Sequence, residues 1–388
     1  MHKQAKRAVL AFLLASAASL LFVPIAFYVY DPLMLYHRPW GRPVTFSTDL
    51  RTQAAGIINS FKFDSLILGT SMLQNTSGRK AKALLGGEFV NLSAAAGDPA
   101  ERAIVLRRTF EKHDIRTVIY SVDAYGRVGN PAYPIDEFDY LYDDNPLNDI
   151  RIYYHAKYLR CLLTWSSSKQ CVGASADAGM PASWYQSKFH RNRFGGLHKW
   201  FAAKNNRQVR ISLQQIVDAV DGSLSKKVSD DELLVRETTR ETEEYLDKYI
   251  LAFAREHPET TFHLVMPPYS RLRYAMWYQR GQLNAEKHQA AIRHLVAAQK
   301  VLPNIRVYGF EDQDFLDDIA NYKDTGHYHP EVNVMMLRAI KSGKGRLTQE
   351  SVDGYLAISR QKALDYDLRG IAEKVRDYLN GLEQSPVD

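Results

Sequence analysis

Short apolar runs alternate with helical stretches along most of this chain, and that alternation constrains the fold more than any other feature. Ser65–Leu68, Phe89–Leu92, Thr117–Val122, Thr261–Met266 and Ile305–Phe310 have strand length and a buried-strand composition. Between them, Ala100–Lys112 carries Ala103, Ile104, Leu106 and Phe110 in a roughly helical pattern. Asp230–His257 opens on a capping-box match, Ser229 with Glu232, and stops before Pro258. Asn284–Lys300 places Ala290, Ala291, Leu295 and Val296 on one side. Strand alternating with helix predicts an α/β fold with a mostly parallel sheet, because crossover helices cover both of its faces. Active sites in such sheets lie beyond the carboxyl ends of the strands. Ser71, Asp123 and Tyr269 each follow one of the runs, so these three positions are expected to converge.

The flanks set the domain limits. His2, Lys3, Lys6 and Arg7 precede an uncharged stretch, Ala8 to Tyr30, long enough to cross a bilayer as one helix. Positive charge before the span predicts a cytoplasmic N-terminus with the bulk of the chain exported. A cleaved signal peptide is the rival reading, resting on Ala15-Ser16-Ala17-Ala18. Those small residues lie mid-span, and the apolar run continues through Val23. The expected organisation is therefore an anchor over 1–30, a juxtamembrane segment over 31–59, a catalytic domain over 60–346 and an amphipathic helical tail over 347–388. Within the domain, residues 125–224 break the strand–helix rhythm and read as a long insertion. It is either a lid or substrate platform, or a merely variable surface excursion.

A net charge of +6, spread among interleaved acidic and basic residues, lacks the signature of a nucleic-acid binder. Attraction to an anionic membrane surface or an acidic polymer is compatible with it. The only cysteines, Cys161 and Cys171, are expected to close a short disulfide loop if the chain is exported; two unrelated thiols are the alternative.

Candidate chemistry rests on three segments. Leu66-Ile67-Leu68-Gly69-Thr70-Ser71 ends a buried strand on a hydroxyl, which a base can activate. On its own it is also how many strands simply end. Asn91–Asp98 opens a second strand into small residues, where Gly97 can offer its N–H to an oxyanion. The plainer reading there is a strand-to-helix turn capped by Asp98, with Pro99 at the first helical position. Asp324-Thr325-Gly326-His327 sets a carboxylate three residues before an imidazole, a spacing that lets Asp324 orient His327 as a base. His329 is an alternative base. A metal site built from these groups lacks further evident ligands.

The order Gly69-Thr70-Ser71, Asn91–Gly97, Asp324-x-x-His327 resembles the block order of the SGNH (GDSL-like) hydrolase superfamily, over about Phe63 to Ile340. It is similar in particular to membrane-anchored bacterial members that handle acyl groups on cell-envelope polymers, such as the alginate O-acetylation and teichoic-acid D-alanylation proteins. The resemblance implies a three-layer α/β/α sandwich, with Ser71 as nucleophile, Gly97 as oxyanion donor, His327 as base and Asp324 as its orienter. It implies no metal or organic cofactor, a polysaccharide or other envelope polymer as partner, and a membrane-bound acyl exporter beside it. The location implied is the bacterial inner membrane, with the bulk of the chain periplasmic. Where the family places an asparagine after the third strand, this chain has Asp123. An ionised carboxylate cannot donate to an oxyanion, so Asn75 or a backbone N–H is a substitute donor. Asp123 also keeps open a catalytically degraded, saccharide-binding or scaffold subunit. Arg51, Arg102 and Tyr269 are candidate substrate contacts, with pairing to Asp49 and Glu101 and loop packing as the plainer readings. Trp165, Trp184, Tyr185 and Trp200 can stack on sugar rings or serve as core.

Overall fold

The computed structural model describes residues 2–123, 133–203, 205–221, 231–280 and 283–383. Six strands form one sheet: β1 (Ser65–Leu68), β2 (Phe89–Asn91), β3 (Thr117–Ser121), β4 (Thr261–Val265), β5 (Ile305–Tyr308) and β6 (Arg346–Leu347). Their order is β2-β1-β3-β4-β5-β6; the first five are parallel, and β6 runs antiparallel to β5. The α/β class and the largely parallel sheet are as expected, and the five anticipated strands lie where the apolar runs are. β6 is two residues long, too short to leave a pattern in the sequence.

Side chains alternate across the strands, so each strand feeds two cores. On one face, Leu66, Leu68, Val118, Tyr120, Phe262, Leu264 and Val307 share a core with Leu50, Ala54, Leu106, Leu246 and Leu295. On the other, Ile67, Ile119, Val265 and Tyr308 share one with Ala81, Leu213, Leu272, Met336 and Val375. The helices supplying the flanking residues are, after α1 (His2–Tyr30), α2 (Leu50–Ser60), α3 (Gly78–Leu85), α4 (Pro99–Lys112), α5 (Arg207–Asp221), α6 (Glu232–Leu246), α7 (Arg271–Tyr278), α8 (Leu283–Ala298), α9 (Pro330–Ser342), α10 (Val352–Asp365) and α11 (Leu368–Glu383). A π-turn over Asp247–Leu251 and a last turn, Ala252–Glu256, extend α6 to just before Pro258. Asp231 caps α6, accepting from the N–H of Leu234; the anticipated cap Ser229 lies outside the described residues.

The connection β1-α3-β2 packs on one face and β2-α4-β3 on the other. The chain therefore reverses direction across the sheet between β1 and β3. Diverging connections at such a point leave a crevice at the strand ends. Ser71 lies just past β1, at that crevice.

Two expected boundaries move, at 31–59 and within 125–224, and the tail packs on the body. Residues 31–59 are part of the domain, not a separate linker: Leu33, Met34, Ala54 and Ile57 are fully buried. Buried Asp31 accepts from the N–H groups of Leu35, Tyr36 and His37 and from the Tyr153 hydroxyl, fixing the end of α1 to the body. The 125–224 stretch, of which 125–132, 204 and 222–224 lie outside the described set, is strandless and built of short helices and turns, the longest Ala156–Leu163, to about residue 203. Its last helix, α5, packs into the sheet through Val209, Leu213 and Ile216. The irregular part covers the open edge of β2, where Asn91 N–H donates to the carbonyl of Ala178. The C-terminal helices pack within the chain, α11 through Leu368, Ala372 and Val375.

Cys161 and Cys171 form a disulfide, packed with Tyr30 and Val172 beneath the end of α1. α1 forms over 29 residues. Among the described residues, however, no helix is long and apolar enough to cross a membrane.

Candidate active site

The nucleophile turn is built from β1 outward. Gly69 is required by close approach: a Cβ there would meet the Ser121 hydroxyl at 2.3 Å. Thr70 then turns the chain. Its hydroxyl donates to Asp123 Oδ2 and accepts from the N–H of Met72, while its own N–H reaches Ser121 Oγ at 3.4 Å. Successive tight turns follow, with Leu73 N–H donating to Thr70 O and Thr76 N–H to Leu73 O. Tyr328 OH donates to Met72 O (2.9 Å) and Thr76 Oγ1 to Asn333 Oδ1 (2.8 Å), binding this turn to the segment that carries the histidine. Ser71 is left partly exposed, with its neighbours Thr70 and Met72 buried.

The histidine lies in a tight excursion between Tyr322 and Tyr328, which bridge one another antiparallel, just before α9. Asp324 Oδ1 accepts from the N–H groups of Gly326 (3.0 Å) and His327 (2.9 Å), the way Asp stabilises turns of this kind. Its carboxylate also accepts from His327 Nδ1 at 2.9 Å. With Nδ1 protonated, Nε2 is free to accept, and Ser71 Oγ donates to it at 2.8 Å. Ser71, His327 and Asp324 thus form one continuous hydrogen-bonded chain, an arrangement able to serve as nucleophile, base and orienter.

Electrostatics suit those roles. Burial pushes the Asp324 carboxyl up, but the His327 charge, its hydrogen bonds and Lys323 outweigh it and hold the group well below the usual carboxylate range. Burial pulls the His327 imidazole below its ordinary value of 6.5; Asp324 opposes this, while Lys323 and Arg273 reinforce it. At neutral pH the base is unprotonated and its orienter ionised. His329 is occupied elsewhere. Its Nδ1 caps α9 by accepting from Glu331 N–H, and its Nε2 bonds the Tyr185 hydroxyl at 2.7 Å.

Three consecutive residues of the irregular segment clamp the nucleophile turn. Trp184 Nε1 donates to the carbonyl of Ser71 (2.8 Å), and its ring stands edge-on to His327 with centroids 5.7 Å apart. Ser183 Oγ (2.8 Å) and Tyr185 N–H (3.2 Å) both donate to Asn75 Oδ1. With that oxygen saturated, the Asn75 amide is fixed in orientation, and its Nδ2 is buried without an acceptor. Nothing local in Ser183-Trp184-Tyr185 marks this role, which depends on contacts more than a hundred residues distant in sequence.

Other expected site residues fall elsewhere. The Gly97 N–H donates to Ala94 O at 3.1 Å, so the turn uses it and it is not a free oxyanion donor. Asp98 caps α4 and Pro99 begins it, the plainer of the two readings. Asp123 is buried and accepts from Thr70 and Ser121 hydroxyls, with Arg102 at 3.4 Å. Burial raises its pKa against the opposing effects of Arg102, Thr70 and Ser121. Arg102 is itself buried, donating to the carbonyls of Ser121 and Asp123. Arg51 pairs with Glu101 at 2.7 Å and lies over the Tyr133 ring. Arg102 is thus committed to the interior, whereas Arg51, though paired, also lines a cavity with Ala95 and Tyr133. Tyr269 is half-buried beyond β4, with the Arg273 guanidinium 4.9 Å from its ring centroid; Arg273 also donates to Thr325 Oγ1. Among the described residues, no group of three or more His, Cys, Asp or Glu side chains could hold a metal ion.

No protein-family model, curated protein or solved structure matches the chain.

Proposed function

We propose that this protein is a serine acyltransferase or esterase of the SGNH type, acting on an envelope or secreted polysaccharide through an acyl-enzyme on Ser71. The observation carrying this reading is the Ser71–His327–Asp324 chain, with contacts of 2.8 and 2.9 Å at the crevice beyond β1. The strand order and the flanking of both sheet faces by helices support the SGNH architecture, a three-layer α/β/α sandwich.

In the reaction, Ser71 Oγ attacks the acyl carbonyl while His327 Nε2 takes its proton. Asp324 stabilises the resulting imidazolium. Asn75 Nδ2 donates to the oxyanion, the role expected of Gly97 and denied to Asp123. Collapse of the tetrahedral intermediate breaks the donor's acyl bond, and His327 returns the proton to the leaving group. A sugar hydroxyl then repeats the sequence in reverse, taking the acyl group and regenerating Ser71; water does the same in hydrolysis. Asp123 was the reason to consider a degraded, non-catalytic subunit. Its carboxylate is engaged by Thr70, Ser121 and Arg102, away from any donor role, so it does not favour that alternative.

The reading includes a membrane anchor. Val9, Phe12, Leu13, Phe22 and Ile25 of α1 are all more than half exposed, as suits burial in lipid. The disulfide suits an oxidising, extracytoplasmic compartment. A membrane-bound acyl exporter remains the expected donor partner. Labelling of the full-length protein by a fluorophosphonate tests the reading. Modification of Ser71, lost in Ser71→Ala and in His327→Ala, is expected. An unlabelled wild-type protein, with Ser71→Ala fully functional in cells, would contradict it.

A further inference from the structure

Aromatic rings from three short segments surround the last turn of α1 where it joins the body. Phe27 stacks on Tyr153 with centroids 5.3 Å apart and stands edge-on to Tyr154 at 6.0 Å. Tyr28 packs with Tyr36 at 5.4 Å and with Trp40 at 6.3 Å. Tyr30 lies 5.3 Å from the Trp165 ring and donates its hydroxyl to the carbonyl of Ser166.

The inner rings, Phe27, Tyr30 and Tyr153, are core. The outer members form an exposed collar. Leu163 is 87% exposed and Trp40 60%, and Trp165, Tyr154 and Tyr28 are exposed as well. Large apolar side chains grouped this way at a surface mark a place of interaction. The loop carrying Leu163 and Trp165 is braced from below: the Cys161–Cys171 disulfide closes it and packs with Tyr30. At its tip Trp165 takes a φ of +47°, a backbone conformation that is costly for so bulky a residue.

Charge singles out the same surface. Residues 32–48 and 150–176 supply every collar member outside α1, and neither stretch contains an Asp or a Glu. Arg38, Lys157, Arg160 and Lys169 within them are exposed, so these two segments present cations alone. Trp and Tyr with neighbouring cations are the side chains favoured at the headgroup level of an anionic bilayer. The collar's position agrees with its composition, because the face from which α1 leaves the body is turned toward whatever α1 enters.

We infer that this collar is a second membrane contact, in which Trp40, Tyr154, Leu163 and Trp165 sink to the headgroup level of an anionic bilayer and the exposed cations meet lipid phosphates. The inference rests on the reading of α1 as a membrane anchor and goes beyond it. The body is docked on the lipid surface instead of tethered above it, so Ser71 is held at a set height over the bilayer.

Because α1 contains no tryptophan, anchoring by α1 alone leaves tryptophan emission insensitive to the lipid, and this makes the two contacts separable. Full-length protein is reconstituted into phosphatidylethanolamine–phosphatidylglycerol vesicles whose acyl chains carry bromine near the headgroup. Its tryptophan emission is compared with that in unbrominated vesicles. Quenching is expected in the wild type, reduced in Trp40→Phe and in Trp165→Phe, and nearly lost in the double variant. The single variants alter separate segments, so one that misfolds leaves the other as the test. Flotation of the vesicles after alkaline extraction reads the anchor itself. Protein that floats without quenching, or quenching unchanged in both single variants, would overturn the inference and leave the anchor standing; a collar reserved for a partner protein gives the first of these results. Protein that does not float removes the anchor and the inference with it.

Discussion

Two buried aspartates flank the nucleophile turn, and they behave in opposite ways. Asp324 sits in a turn that supplies it with two backbone N–H donors and an imidazole, so it stays ionised despite burial. Asp123 sits at the end of β3, meets two hydroxyls and an arginine more distantly, and is driven toward its protonated form. Both carboxylates contact the same short stretch of chemistry, one through His327 and one through Thr70. The difference teaches that a carboxylate near a serine is made functional by its donors rather than its proximity. In the proposed reaction Asp324 orients a base, and Asp123 holds the turn that presents the nucleophile.

The comparison can be broken most sharply at Asp324. Asp324→Asn is expected to keep the fold and lower acyl-enzyme formation by about 10⁴-fold, because the imidazole loses the partner that fixes its tautomer. Asp123→Asn, which keeps hydrogen bonds to Thr70 or Ser121, is expected to cost far less activity. A burst-phase measurement with an activated acetyl ester compares the two, and equal losses would erase the distinction.

Next in size is Asp123→Ala. It strands the buried hydroxyls of Thr70 and Ser121, and denaturant unfolding is expected to show about 1–3 kcal/mol of lost stability. Asn75→Ala removes the amide held by Ser183 and Tyr185 and is expected to lower the acylation rate by about 10²–10³-fold, with about 1–3 kcal/mol of stability lost from the two stranded donors. A near-unchanged rate would return the oxyanion role to backbone N–H groups.

The smallest effect is in pH dependence. His327 must be unprotonated to act, and its pKa is held below 6.5, so activity is expected to rise on going from acid to neutral pH with a midpoint below 6.5. Stability runs the same way. His327 and His190 both bind protons less readily folded than unfolded, so the melting temperature is expected to fall as pH drops from about 6.5 toward 4. Arg273→Gln removes a cation that depresses His327, so the activity midpoint is expected to move upward.

The sheet was legible because its strands are buried on both faces and so form continuous apolar runs, as Ser65–Leu68 and Thr261–Val265 do. The triad was legible because Asp324 and His327 are local to one turn and Ser71 ends a recognisable strand. The oxyanion donor was legible only in part, since Gly97 was expected first and Asn75 only as a substitute. A glycine in a strand-to-helix turn advertises a free N–H, and only the structure reveals that Ala94 O takes it. Asn75 owes its fixed amide to Ser183 and Tyr185, whose local sequence carries no sign of the contact. α2 was hidden by the prolines and aromatics just before it, which read as a linker. α5 was hidden by the irregular run preceding it, although Val209, Leu213 and Ile216 carry a helical spacing that marks a core face.

The most direct test of the central claim is to trap the acyl-enzyme. Full-length protein mixed with an activated acetyl ester and quenched in acid during the burst is digested, and the peptide containing Ser71 is weighed. One added acetyl group on Ser71 is predicted, absent in Ser71→Ala and strongly reduced in Asp324→Asn, but retained in Asp123→Asn. An unmodified Ser71 peptide from active, folded protein, or acetylation that persists unchanged in Asp324→Asn, would contradict the account.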